Sequence, residues 1–260
     1  MKPVVIKVGG GALAGGALED LPNLVSAGHR VTIVHGGGLQ LTRMLDALHI
    51  PTRFHAGLRV TDEESIEVAE NVFAGGVNKG LVRGLGALGV RAVGISGTDG
   101  PTLLVEPVPD LGRVGKVVRV GTHLIETLWT GGFVPVVAPL GLGPEGAYNI
   151  NADSAAAALA VGLGAGYLFV LTDVDGLLEE GETVETLAPD ECEAYVESGL
   201  AAGGMVPKLR AAAEAACGGV EARILNGNRK GALAAAVAGE RVGTLICEGL
   251  ICEGVAACKQ

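Results

Sequence analysis

Six apolar runs of strand length recur along the chain, at 3–8, 30–35, 91–95, 133–138, 167–172 and 222–226, with helical stretches between several of them. Strands that alternate with helices imply crossover connections, so the sheet is mainly parallel and carries helices on both faces. The expectation is an α/β fold, a three-layer αβα sandwich. In open sheets of this kind, ligands gather at the carboxyl ends of the strands. Four of those ends read KVGGG (7–11), VHGGG (34–38), GISGTDG (94–100) and LTDVDG (171–176). Four polar or glycine-rich turns at one end of one sheet mark that end for function.

The connecting segments carry their own signals. Residues 39–48, LQLTRMLDAL, place Leu39, Leu41, Met44, Leu45 and Leu48 largely on one helical face. Thr61 with Glu64 reads as a capping box that opens a helix from Asp62 to Phe73. Residues 208–217 read as another helix. The stretch 154–172, SAAAALAVGLGAGYLFVLT, is nearly uncharged and almost long enough to span a bilayer. Gly162, Gly164 and Gly166 interrupt it, so it reads instead as an alanine-rich helix, a turn and a buried strand. GLGPEG at 141–146 matches the GxGxxG spacing, but Pro144 and the lack of a following helix start argue against dinucleotide binding.

Composition narrows the function. A length of 260 residues allows one large domain or two lobes. Aromatics are only 3%, so Ala, Val, Leu and Gly must build the core. A formal net charge of −10 argues against nucleic acid or an anionic membrane as partner, since both attract a basic face. An anionic small molecule is compatible only if the few cations are concentrated locally. The five cysteines, Cys192, Cys217, Cys247, Cys252 and Cys258, show no CxxC spacing, and reduced thiols in a cytoplasm are expected.

Several residues are candidates for chemistry. Lys7 ends an apolar strand just before Gly9, Gly10 and Gly11. It reads either as a lysine snorkelling to water or as a cation beside free N–H groups for an anion. Gly36, Gly37 and Gly38 lie between a strand and a helix, where N–H groups meet the positive end of the helix dipole. Arg59 precedes a capped helix, and its planar fork suits a carboxylate. Asn149, Asn151 and Asp153 alternate before the alanine-rich helix. Asp153 could be its N-cap, or the three side chains could converge on a ligand from one side of an extended segment. Asp173 and Asp175 follow a buried strand as turn residues or metal ligands. Pro207 at a first helical position would put Lys208 in a first turn, against the dipole.

Taken in order, KVGG at 7–10, HGGG at 35–38, GLRVTD at 57–62, NINAD at 149–153, LTDVDG at 171–176 and GGMVPK at 203–208 resemble the amino acid kinase family, and within it the branch that phosphorylates N-acetylglutamate. The resemblance covers residue 3 to about residue 246. It implies the carbamate kinase-like fold in two lobes, with residues 1–165 binding the amino acid and dimerising, 166–246 binding ATP, and 247–260 a tail of no assigned role. By the resemblance, Lys7 and Lys208 stabilise the transferring phosphoryl group and Asp153 holds them. Gly37, Gly38, Arg59 and Asn149 bind the acylated amino acid. Gly9, Gly10, Gly11, Thr172, Asp173, Met205 and Lys208 meet the nucleotide, and Mg²⁺ is held mainly by its phosphates rather than by protein ligands. The implied activity is ATP-dependent phosphorylation of the side-chain carboxylate of N-acetyl-L-glutamate in arginine biosynthesis. The related kinases of lysine biosynthesis, acting on N-blocked 2-aminoadipate or an acidic carrier protein bearing it, are the alternative. A sensor on the same fold is the alternative outside catalysis. The chain opens almost directly on the first strand, without the extra N-terminal helix of arginine-inhibited relatives, so an arginine-insensitive homodimer is expected. The repeat LICEGLICEG at 245–254 has no functional account.

Overall fold

The computed structural model describes residues 2–9 and 15–248. In chain order its strands are β1 Val4–Val8, β2 Val31–His35, β3 Arg53–His55, β4 Leu58–Val60, β5 Ala92–Ser96, β6 Leu103–Pro107, β7 Gly115–Val120, β8 Val134–Ala138, β9 Leu140–Gly143, β10 Gly146–Asn149, β11 Tyr167–Thr172, β12 Leu178–Glu179, β13 Glu182–Thr183, β14 Thr186–Leu187, β15 Glu221–Asn226 and β16 Thr244–Ile246. Its α-helices are α1 Leu21–Ser26, α2 Gly38–Ala47, α3 Glu63–Glu70, α4 Asn78–Ala87, α5 His123–Thr130, α6 Ala152–Gly162, α7 Glu191–Glu197, α8 Met205–Cys217 and α9 Ala232–Val237.

One sheet of eight strands runs in the order β14-β16-β15-β11-β1-β2-β8-β5. From β15 to β5 every neighbour is parallel, while β16 turns antiparallel to β15 and β14 runs parallel to β16. Each apolar run read from the sequence is one of those six parallel strands, so the α/β sandwich stands as expected. A second sheet, β10-β9-β6-β7, was not anticipated. GLGPEG falls in its β9–β10 hairpin, where Gly143 pairs with Gly146.

Side-chain alternation in β1 decides where its lysine goes. Val4, Ile6 and Val8 pack with Leu21 and Leu24 of α1, Leu81 and Leu85 of α4, and Leu233 of α9. Val5 packs in the opposite layer, with Ala155, Ala156 and Leu159 of α6 and Leu209 and Ala212 of α8. Lys7 is two residues beyond Val5 and therefore faces α6 and α8. Alanine suits these helices, because short side chains let them sit close to the sheet in a core that has few aromatics to fill space.

Local expectations needed four corrections. The helix after β4 is capped by Asp62, which accepts from Ser65 N at 2.9 Å, rather than by Thr61. The Thr61 hydroxyl instead donates to Arg59 O at 3.0 Å. Only Leu41 and Leu45 of α2 face the core, while Leu39, Met44 and Leu48 are exposed. Helix α8 begins at Met205, so Pro207 is its third residue and Lys208 its fourth. Cys192 and Cys217 are free thiols, but Cys247 is disulfide-bonded, against the expectation of reduced cysteines. Residues 154–172 divide into α6 and β11 as expected, and among the described residues no helix is long and apolar enough to cross a membrane.

Candidate active site

At the carboxyl end of the parallel sheet, three charged side chains meet. Lys7 and Asp153 are each only 4% exposed. Lys7 Nζ lies 2.8 Å from Asp153 Oδ1, and Lys208 Nζ lies 3.9 Å from Asp153 Oδ2. Lys208 also donates to Gly204 O at 2.9 Å. One carboxylate between two ammonium groups leaves a local charge of +1, in a chain that is acidic overall. Burial, reinforced by repulsion from Lys7, pushes the Lys208 pKa below its ordinary value, with Asp153 and Asp173 opposing the shift. Such a cluster has a deficit of negative charge that an anion can fill.

Asp153 is free for this work because another residue caps the helix. Asn151 is the N-cap of α6, and its side-chain oxygen accepts from Asp153 N at 2.9 Å and Ser154 N at 3.2 Å. This settles the choice left open by the sequence: Asn151 satisfies the orphan N–H groups, and the Asp153 side chain turns to the lysines.

A cleft of about 200 Å³ reaches Asp153, and its lining includes Gly37, Gly38, Arg59 and Asn149. Gly37 is the N-cap of α2, where a Cβ would come within 2.8 Å of the Phe73 ring. Arg59 is buried at the cleft. Its guanidinium donates to Thr42 Oγ1 at 2.6 Å, Gly38 O at 3.2 Å and Thr52 Oγ1 at 3.1 Å, and it stacks 4.8 Å from the Phe54 ring centroid. Asn149 Nδ2 donates to Thr61 Oγ1 at 3.1 Å. These bonds hold the cation and the amide in place before any ligand arrives.

On the other side of the lysines, β11 ends in Thr172, whose hydroxyl donates to Asp173 Oδ1 at 3.2 Å. Asp173 is close enough to Lys208 to act on its charge. Met205 opens α8, one turn before Lys208. Gly9 lies beside the Lys7 ammonium, since a Cβ there would come within 2.5 Å of Nζ. Gly10 and Gly11 fall outside the described residues. The structure thus brings Lys7, Asp153 and Lys208 together from β1, α6 and α8, with the amino-acid candidates on one side and Thr172 and Asp173 on the other. Sequence reasoning missed the capping role of Asn151 and the presence of Phe73 in the cleft lining.

Comparison with known proteins gives a consistent answer. The model of the amino acid kinase family matches residues 2–226. An acetylglutamate kinase from Rubrobacter xylanophilus is 72% identical over 246 residues, covering 95% of this chain and 97% of that protein. A solved Streptococcus mutans UA159 protein superposes with a TM-score of 0.84 at 29% identity, covering 94% of this chain and 98% of that one. A carbamate kinase from Giardia lamblia bound to AMP-PNP superposes with a TM-score of 0.67 at 20% identity, covering 95% and 98%. That last likeness speaks to the fold alone.

Proposed function

The chain belongs to the amino acid kinase family, and from that premise we propose that it acts as an acetylglutamate kinase. It transfers the γ-phosphoryl group of ATP to the side-chain carboxylate of N-acetyl-L-glutamate. The products are ADP and N-acetyl-L-glutamyl 5-phosphate, at an early step of arginine biosynthesis. The observation that carries this reading is the Lys7–Asp153–Lys208 cluster opening on the cleft that holds Arg59 and Asn149.

The chemistry follows from charge. A glutamate-like carboxyl has a pKa of about 4.3 and is ionised near neutral pH, so the nucleophile needs no general base. Its obstacle is repulsion from the γ-phosphate. Opposite unit charges about 4 Å apart attract by roughly 4 kcal/mol at an effective dielectric near 20. Two lysines fixed by one carboxylate can offset much of that repulsion without reorganising during transfer. In this reading Gly37, Gly38, Arg59 and Asn149 bind the acylated amino acid. Gly9, Gly10, Gly11, Thr172, Asp173, Met205 and Lys208 meet the nucleotide. Residues 1–165 then form the amino-acid lobe and 166–246 the nucleotide lobe. A local excess of positive charge suits polyphosphate, and both Asp153 oxygens face lysines, so Mg²⁺ would ride mainly on the phosphates and add to their neutralisation.

A homodimer is part of the proposal. Leu39, Met44, Leu48 and Leu88 are exposed beside two apolar grooves of about 430 and 550 Å³ along α2 and α4. Gly76, Gly80 and Gly84 leave a low ridge in the first of them, over which a second copy could approach closely. Sedimentation at micromolar protein should give twice the 26.1 kDa chain mass, and a monomer refutes the dimer. An ATP-consuming biosynthetic enzyme of this kind is placed in the cytoplasm. The activity itself is tested by coupled ADP release with N-acetylglutamate and N-acetyl-2-aminoadipate in parallel. Turnover of the first is expected, and its absence overturns the reading.

A further inference from the structure

Behind the cleft, the helical stretch from α3 to α4 passes through a π-helix at Asn71–Val77. On an α-helix, residues five apart point about 140° away from one another. The i→i+5 bonds of a π turn instead bring them to the same side. Here Asn78 N–H donates to Phe73 O, so these two residues are stacked in that way. The Asn78 side chain then meets His35 at the end of β2, and the Phe73 ring meets Gly37 in the turn that follows.

Phe73 is buried against Gly37, at the position where any side chain would collide with its ring. Asn78 is fully buried. Its Nδ2 lies 2.9 Å from Val136 O, 3.2 Å from Ile95 O and 3.2 Å from His35 Nε2. One amide therefore ties the carboxyl ends of β2, β8 and β5 together. The amide nitrogen faces two carbonyls and cannot accept, so its two hydrogens are shared among the three contacts and His35 Nε2 is on the accepting side. The imidazole proton then sits on Nδ1, which donates to Gly36 O at 2.6 Å. On the outer side, Lys79 Nζ donates to Asn78 Oδ1 at 3.2 Å and to Gly94 O at 2.9 Å. Burial holds His35 at a pKa of about 4, so its ring stays neutral over the physiological range, as this bonding requires.

We propose that the π turn is a positioning device for the glycine loop 36–38: Phe73 backs Gly37 while Asn78, through His35, fixes the Gly36 carbonyl, and together they aim the Gly37 and Gly38 N–H groups into the cleft. The consequence for catalysis rests on the phosphoryl-transfer reading above. The loop would be held in its working direction before substrate binds, so loosening it weakens the transition state more than it weakens ATP.

The test compares wild-type protein with Asn78→Leu, which keeps the side-chain volume and removes the donors. Expected for Asn78→Leu is a kcat for N-acetylglutamate phosphorylation lower by about 10- to 100-fold, a KM for ATP within about twofold of wild type, and shifted Gly37 and Gly38 resonances in ¹H–¹⁵N spectra, with those of β11 unmoved. If Asn78→Leu does not fold, Lys79→Met reads the same network from its exposed side, with a severalfold lower kcat and the same two glycine shifts. Wild-type kcat together with unmoved glycine resonances overturns the proposal, as does a loss of kcat matched by an equal rise in ATP KM. A wild-type protein that turns over no N-acetylglutamate refutes the assigned reaction instead. The glycine resonances then still decide whether the π turn positions the loop.

Discussion

Lys7→Ala is expected to lower kcat by about 10²- to 10³-fold, the effect of deleting one preorganised group from a charge-stabilised transition state. KM for either substrate should change by less than about tenfold, because the ammonium matters most as charge shifts during transfer. Lys7 Nζ is buried, pinned 2.8 Å from Asp153 Oδ1 and adjacent to Gly9, so its loss removes a fixed charge from the site. The companion lysine has a separate signature. Because the Lys208 pKa is lowered, its ammonium loses its proton at a lower pH than an ordinary lysine. The charge is therefore lost on the alkaline side, and kcat/KM for ATP, which reports the free enzyme, should fall there with an apparent pKa below the ordinary 10.5. Lys208→Arg, which stays charged, should flatten that limb. Lys7→Ala retaining kcat within threefold of wild type would refute the two-lysine arrangement.

The second large effect is on Asp153→Asn. The amide is nearly isosteric, so packing is preserved, but two ammonium groups are left without the negative charge between them. Breaking a buried ion pair costs about 3–5 kcal/mol, which corresponds to a fall in Tm of roughly 10 °C for a chain of this size. Activity should fall with it, because the lysines repel each other out of position. A polyanion that binds between them replaces the missing carboxylate. ATP should therefore raise the Tm of Asp153→Asn by more degrees than it raises that of wild type. Equal ATP shifts in the two proteins, or an unchanged Tm for the variant alone, would show that Asp153 does not hold the pair.

The layout of the sheet was legible because apolar runs, their length and their glycine-rich ends are properties of short stretches. The same holds for Lys7, Arg59, Asp153 and Lys208, whose neighbours form recognisable strings. What stayed hidden depends on competition or on distance. Asn151 and Asp153 are both good caps, and only the approach of two lysines decides which one turns away from the helix. Thr61 and Asp62 compete in the same way: Asp62 takes the cap, while the Thr61 hydroxyl donates to Arg59 O and accepts from Asn149 Nδ2. The π turn is invisible to periodicity, since one extra residue in a helical stretch looks like a slightly imperfect α pattern. Asn78 meets His35 across 43 positions of sequence, and nothing local to either residue announces the other.

The alternation of β1 also bears on how the molecule reaches its native state. Lys7 pairs in register with Val34 on one side and Val170 on the other. A slip by a single residue would turn Lys7 into the mainly apolar layer beneath α1, α4 and α9, away from Asp153. Val4, Ile6 and Val8 would tolerate such a slip far better, being alike in size and polarity. The residue proposed to steady the phosphate thus also favours correct strand pairing during folding: the native alignment is the one that sets it against Asp153. Substituting it with an apolar side chain should therefore loosen the fidelity of folding as well as the chemistry.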